Sequence, residues 1–371
     1  MGYDYLIVGA GFAGSVLAER LATANKKVLL VEQREHLGGN CYDFLDEAGI
    51  LIHKYGPHIF HTNHTEVWDY LSQFTAWIPY QHRVLSKVDG NNVTLPVNLN
   101  TIYELFPADK ARNLERKLLE TIGNANCVPI LELRKNKDND LRQMAELVYE
   151  KIYLNYSRKQ WGMDPDELDP LVTGRVPVWA DRDNRYFKEK YQGMPAKGYT
   201  SIFEKIVGHP NIEIILNKDC KDIIGKTDYD QLIYTGLIDY FFDYKHGKLP
   251  YRSMNFKFET LNLKQFQEVA VINYPGNEPF MRITEFKHFT GQANPKTSLL
   301  REYPEDYDPA KNTPCYPIPK QENYILYQKY KVEAEKLKKV TFIGRLAEYC
   351  YYNMDGVVKQ ALQAAQVLLG R

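Results

Sequence analysis

Residues 3–14 read Y-D-Y-L-I-V-G-A-G-F-A-G, with Gly9, Gly11 and Gly14 at G-x-G-x-x-G spacing. The apolar run before the glycines, residues 5–8, is of strand type, and residues 15–24 after them suit a helix. That order is what a dinucleotide site requires. The first glycine permits a tight turn, the second lets backbone approach a pyrophosphate, and the third lets helix and strand pack closely. The helix N-terminus then offers unpaired N–H groups and a partial positive charge to phosphates. A second strand, residues 27–31, ends at Glu32, about 20 residues past the glycines, where an acid that binds a ribose is expected. A bare glycine-rich turn would not need that acid.

A chain of 371 residues suits two or three lobes rather than one simple core. Its 44% hydrophobic content can supply a sizeable interior. The 47 basic and 47 acidic residues balance, so no global field favours nucleic acid or a membrane surface. An anionic ligand would have to be held by a few local arginines. Five cysteines, an odd number without a C-x-x-C pair, argue against a disulfide framework or a zinc site and fit a reducing, cytoplasmic compartment. The N-terminus enters a strand directly, so no signal peptide is expected. Leu6 stands where a myristoylation motif needs Ser or Thr. No apolar run approaches about 18 residues, so no membrane span is expected.

Along the chain, residues 1–60 read strand, helix, strand, then a glycine-containing loop. Residues 109–122 and 140–155 carry apolar residues at helical spacing, and residues 134–140 read as a connector. Residues 164–200 are rich in Pro, Gly, Asp and Arg and read as a long loop of the kind that often binds or closes over a ligand. Strands are expected at 211–216, 231–235, 251–258 and 270–274. An extended stretch is expected at 303–320 and a helix at 332–338. Residues 340–343 then form a strand and 354–369 a last helix, which returns the chain to the strand–turn–helix form of its start.

After Glu32 comes Q-R-E-H-L-G-G-N. The glycine pair lets backbone pass close to an extended cofactor. Glu32, Gly38 and Gly39 together resemble the flavoprotein superfamily that includes amine oxidases and carotene desaturases, which implies FAD rather than NAD. K-Y-G-P-H-I-F-H-T at 54–62 places His58 and His61 three apart. A metal needs a third and usually a fourth ligand, and no such cluster is evident, so no metal is expected. A histidine beside a flavin can tune the ring or hydrogen-bond a substrate; either histidine could equally be structural.

Further motifs make the resemblance specific. N-Y-S-R-K-Q-W-G at 155–162 and G-R-V-P-V at 174–178 join Y-F-K-E-K-Y-Q-G-M-P at 186–195. F-M-R-I-T-E-F-K-H-F at 280–289 and G-R-L-A-E-Y-C-Y-Y-N-M-D at 344–355 follow. Together with the histidine stretch, and in this order nearly end to end, they resemble the bacterial UDP-galactopyranose mutase family. The resemblance implies an α/β fold: a Rossmann-like FAD-binding domain (1–80, 205–240 and 335–371), a helical insertion domain (98–165, followed by a lid loop at 166–182) and a β-sheet substrate domain (81–97, 183–204 and 241–334). It implies interconversion of UDP-galactopyranose and UDP-galactofuranose by an enzyme active only when its FAD is reduced, through a covalent flavin N5–sugar intermediate, with furanose supplied to surface glycans. It further implies a cellular reductant such as NAD(P)H and a homodimer. An ordinary flavin oxidoreductase of the amine oxidase or desaturase type, and a nucleotide-binding scaffold without catalysis, are the alternatives.

The same resemblance assigns roles. Arg175 and Arg282 clamp the pyrophosphate as UDP leaves; arginine suits this because it is always charged and binds phosphate as a fork. His58 faces the flavin and completes the catalytic set. Gly9, Gly11, Ala13, Gly14, Glu32, Gly39, Asn40, His58, Ile59, Asp219, Cys220, Arg345, Met354, Asp355 and Val357 are cofactor residues. His82, Tyr156, Trp161, Tyr186, Asn273, Tyr316 and Tyr351 join the two arginines on the substrate. Three positions depart from the family pattern: Asn353 stands where several relatives have Asp, Ile152 where some have an aromatic, and His82 where relatives often have Asn.

Overall fold

The computed structural model describes residues 2–168 and 177–370. Its first layer is a five-stranded, wholly parallel sheet in the order Ile212–Ile215, Val28–Val31, Tyr3–Val8, Tyr229–Tyr234, Val340–Phe342. The first strand of the chain is therefore central. Leu6 and Ile7 are both fully buried, one toward each face of the sheet, which is why the strand reads as an unbroken apolar run. Strands from the beginning, middle and end of the chain close this one sheet.

The helix after the glycines runs Phe12–Thr23, three residues earlier than expected, so Gly14 lies inside its first turn. A Cβ on Gly14 would sit 1.9 Å from the carbonyl oxygen of Gly9. The missing side chain is what lets the helix lie that close to the turn. The last helix, Met354–Leu368, packs along the first, and its Val358, Ala361 and Ala365 share one apolar cluster with Val16, Leu17 and Leu21.

A seven-stranded sheet forms the second lobe, in the order Tyr316–Pro317, Tyr251–Leu261, Thr297–Asp306, Arg282–Glu285, Val271–Asn273, Val84–Val88, Asn91–Leu95. All its pairings are antiparallel except that of Val271–Asn273 with Val84–Val88. A helical segment follows it, from Leu99–Leu105 through Ala108–Ile122 and Asn139–Val148 to Asn155–Trp161.

Four expectations are corrected. The single helix at 140–155 is interrupted by a π turn at Tyr149–Leu154, where an extra residue turns the following helix by about 100° about its axis. The helix expected at 332–338 is Gln321–Ala334; its buried face is made of Asn323 and Tyr330 rather than aliphatic residues, so its apolar period is weak. The long loop at 164–200 contains, among the described residues, the strands Val178–Trp179 and Tyr191–Pro195 and the start of the helix Gly198–Ile206. Gly193 pairs in the middle strand of a three-stranded sheet with Phe60–Thr62 and Trp77–Pro79. The extended stretch at 303–320 has strand only to Asp306 and again at Tyr316–Pro317. Among the described residues no helix is long and apolar enough to cross a membrane.

Candidate functional site

A cavity of about 420 Å³ opens where the parallel sheet's strand ends meet the loops that follow them. This is where open parallel sheets place their ligands. Gly9, Gly11 and Ala13 line it from the first turn, Glu32, Gly39 and Asn40 from the second, and Met354 and Val357 from the last helix. Asp219, Cys220 and Arg345 complete the expected residues on its wall. Two helix N-termini, at Phe12 and Met354, thus face one cavity and direct their partial positive charge into it. A Cβ on Gly39 would lie 3.2 Å from the Cα of Gly11, and the φ of Gly39 is +55°; two loops meet here at backbone distance.

Glu32 is buried, and its carboxylate is held from both sides. Ala10 N–H donates to one oxygen at 2.9 Å and Arg34 N–H to the other at 3.0 Å. Arg34 was missed in the sequence. It stacks on the Tyr55 ring, and one end of its guanidinium donates to Asn40 at 2.9 Å. The other terminal nitrogen is buried without a partner. A buried, unsatisfied cation edge in a cavity faced by two helix N-termini fits an anionic dinucleotide.

Gly14, His58, Ile59 and Asp355 lie outside that cavity wall. Gly14 sets the packing described above, and Ile59 is buried in the main core. Asp355 accepts from the Thr62 hydroxyl at 2.9 Å, which ties the last helix to the histidine segment. His58 is anchored through backbone and ring: its N–H donates to Nδ1 of His53 at 3.0 Å, and its own Nδ1 lies 2.8 Å from the Gly56 carbonyl. Burial holds both His53 and His58 at a pKa of about 3, with the Arg345 and Arg282 charges adding to the effect on His58. Both rings are therefore neutral at physiological pH.

The substrate-side candidates converge on Arg282. It begins the strand Arg282–Glu285 and stands opposite Asn273 on one neighbour and Glu302 on the other. Its Nε lies 2.7 Å from the Glu302 carboxylate, an ion contact not aligned as a hydrogen bond. Burial pushes the Glu302 carboxyl up, against the pull of Arg282; burial also works against the Arg282 charge, but Glu302 and the tyrosines around it together outweigh that and hold the guanidinium well above its ordinary value. The Oδ1 of Asn273 is buried without a partner.

Tyr156 and Tyr316 lie within electrostatic reach of Arg282, and Tyr186 and Tyr351 within reach of Tyr156. Trp161 packs on Tyr316 with ring centroids 5.8 Å apart, and Tyr316 stacks on Tyr351 at 5.8 Å. Arg345 lies over the Tyr351 ring at 5.9 Å, so the aromatic row leads into the dinucleotide cavity. His82 is buried between Tyr80, whose hydroxyl is 3.1 Å from its Nδ1, and the Tyr186 ring. Burial, helped by Arg282, holds it at a pKa of about 3.

Arg175 lies outside the described residues, as does most of the expected lid's first half. Two residues missed in the sequence belong to the site: Arg34, two after the ribose acid, and Glu302. Only strand register could have found the latter, since nothing local marks it.

Comparison with known proteins decides the family. The UDP-galactopyranose mutase family model matches residues 151–351. The chain belongs to that family. An NAD(P)-binding Rossmann-like model matches residues 7–74. A dTDP-fucopyranose mutase of Escherichia coli is 36% identical, over 98% of this chain and 98% of that protein. A probable UDP-galactopyranose mutase of Klebsiella pneumoniae is 37% identical, over 99% of this chain and 94% of its own. The crystal structure of a reduced UDP-galactopyranose mutase superposes with a TM-score of 0.76 at 19% identity, covering 100% of this chain and 94% of that one. The protein is accordingly a mutase, an isomerase on the Rossmann-like α/β fold.

Proposed function

We propose that this mutase interconverts UDP-galactopyranose and UDP-galactofuranose with FAD as its cofactor, active only when that FAD is reduced. The observation that carries the reading is Arg282: a partly buried guanidinium between Asn273 and Glu302, ringed by tyrosines, beside a cavity suited to a dinucleotide. When bound and reduced, the flavin supplies the nucleophile for the sugar's anomeric carbon. The chain does the rest. Arg282, with Arg175, takes the charge that develops on the pyrophosphate as it leaves, in a site from which tyrosine rings exclude water. Tyr156, Tyr186, Tyr316 and Tyr351 present hydroxyl donors to phosphate oxygens while their rings form the wall. Trp161 sits at the nucleotide end of the row. His58 and His82, held neutral, offer hydrogen bonds rather than charge to the cofactor and sugar. The cradle and the resemblance together favour FAD, and the five free thiols fit a cytoplasmic location. The family resemblance adds a homodimer, an NAD(P)H-type reductant and delivery of furanose to surface glycans.

A second reading has its own support. The Escherichia coli dTDP-fucopyranose mutase matches as much of the chain at nearly the same identity as the galactose relative. Both nucleotide sugars carry the same pyrophosphate, the group the arginine clamp addresses. The test is a side-by-side assay of reduced, flavin-loaded protein on UDP-galactofuranose and dTDP-fucofuranose. A higher kcat/KM on the UDP-sugar supports the first reading, the reverse supports the second, and no conversion of either overturns both.

A further inference from the structure

Two cations fasten the Asn155–Trp161 helix to the strands that carry Arg282 and Tyr316. Lys159 lies on the Asn155–Trp161 helix, three residues after Tyr156 and so on the same face. Its Nζ donates to the Tyr274 carbonyl at 2.6 Å and to the Phe280 carbonyl at 3.1 Å. Those carbonyls bracket the turn that joins Val271–Asn273 to Arg282–Glu285. Asn273 and Arg282, opposite each other, stand at its two mouths. Among the described residues Lys159 makes no ion pair, so its contribution is geometric.

Arg252 does the complementary work from the other side. It is buried, its Nε donates to the Gln160 carbonyl at 3.0 Å, and a terminal nitrogen donates to the Lys159 carbonyl at 3.2 Å. These carbonyls are the ones the helix leaves open when it stops at Gly162, whose φ is +71°. Arg252 stands opposite Tyr316 in the strand register and also pairs with Asp306. One helix end is thus pinned to the Arg282 hairpin by Lys159 and to the Tyr316 strand pair by Arg252.

We propose that Lys159 and Arg252 are positioning residues that lock Tyr156 and Trp161 to Arg282 and Tyr316, so that the nucleotide face and the pyrophosphate clamp form one preorganised unit. The inference rests on the nucleotide-sugar reading above. The helix that follows the π turn thus carries Lys159 against the hairpin and Trp161 against Tyr316.

The test uses Lys159→Met and Lys159→Arg in the full-length, flavin-loaded, reduced protein. Lys159→Met should lower kcat at least tenfold and weaken UDP binding, measured by quenching of tryptophan fluorescence, several-fold. Flavin content and absorbance spectrum should stay unchanged, and Lys159→Arg should recover most of the loss. Because Lys159 acts through the clamp, Lys159→Met should cost little more in an Arg282→Lys background. Wild-type kcat and UDP affinity in Lys159→Met, or losses that multiply fully with those of Arg282→Lys, overturn the proposal. Should Lys159→Met fail to fold, Arg252→Lys, which keeps the charge and loses the fork, must show the same kcat and UDP losses; wild-type behaviour there overturns it. If the wild type converts no nucleotide sugar, the functional reading fails separately. UDP titration of the variants then still decides this one: unchanged affinity, or no UDP binding by the wild type, overturns it.

Discussion

The two sides of the site are built by different means. The dinucleotide cradle is made of backbone: glycine turns, two helix N-termini and a carboxylate held by main-chain N–H groups. The substrate side is made of side chains, set on antiparallel strands and a helix that are distant in sequence and joined by register. A backbone site tolerates most side-chain changes but no added Cβ at its close approaches. A side-chain site tolerates backbone drift poorly and depends on each charge having its partner. Perturbations should therefore separate the two: those in the cradle cost cofactor and fold, those in the clamp cost turnover with the cofactor still bound.

The largest separation is expected at the arginines. Arg282→Ala and Arg175→Ala should each remove more than about 99% of turnover, on the scale of losing a preorganised transition-state donor, while the protein stays yellow. Arg282→Ala also leaves the Glu302 carboxylate buried and unpaired, a cost of about 3–5 kcal/mol by chemical denaturation. Arg282→Met with Glu302→Leu should recover that stability and none of the activity. Wild-type activity in both single variants would mean that the clamp lies elsewhere.

Gly14→Ala probes the other side. Its Cβ would meet the Gly9 carbonyl at 1.9 Å, so helix and turn must separate, at a cost of about 1–3 kcal/mol and with loss of bound flavin seen directly by absorbance. A normally flavinated, equally stable variant would contradict the close-packing argument.

Acid should act where the two sides meet. His53, His58 and His82 are held at a pKa of about 3, below the ordinary 6.5. Between those values the unfolded chain takes up protons that the folded chain refuses. Stability is therefore full above pH 6.5 and falls as pH drops toward 3, by on the order of 1 kcal/mol per histidine per pH unit. The melting temperature followed from pH 7 to 4.5 should show this fall, and His82→Asn should flatten it. The smallest effect is expected at Asn353→Asp, at the N-terminus of the last helix. An added negative charge there complements the helix dipole by about 0.3–1 kcal/mol, and kcat should change less than about twofold, which steady-state kinetics would check.

What was legible in the sequence follows the same division. The glycine spacing, Glu32 and the strand–helix order located the cradle because backbone geometry constrains neighbouring residues. Arg34 was overlooked because its role depends on the fold of the loop around Tyr55. Residue spacing could not assemble the clamp: Arg282, Glu302 and Asn273 meet through register, and only family resemblance brought Arg282 and the tyrosines forward. Glu302 escaped even that. The helix at Gln321–Ala334 was misplaced because its fully buried residues are Asn323 and Tyr330 rather than aliphatic ones, and the π turn at Tyr149–Leu154 leaves no periodic trace.

The central claim is that a backbone cradle holds a reduced flavin beside a side-chain clamp for a nucleotide sugar. Its most direct test is to incubate the flavin-loaded protein with UDP-galactofuranose, with and without dithionite, and follow the sugar nucleotide by chromatography. The account predicts conversion to UDP-galactopyranose with dithionite and almost none without it. Equal conversion in both conditions, or none by the fully reduced protein, would contradict it.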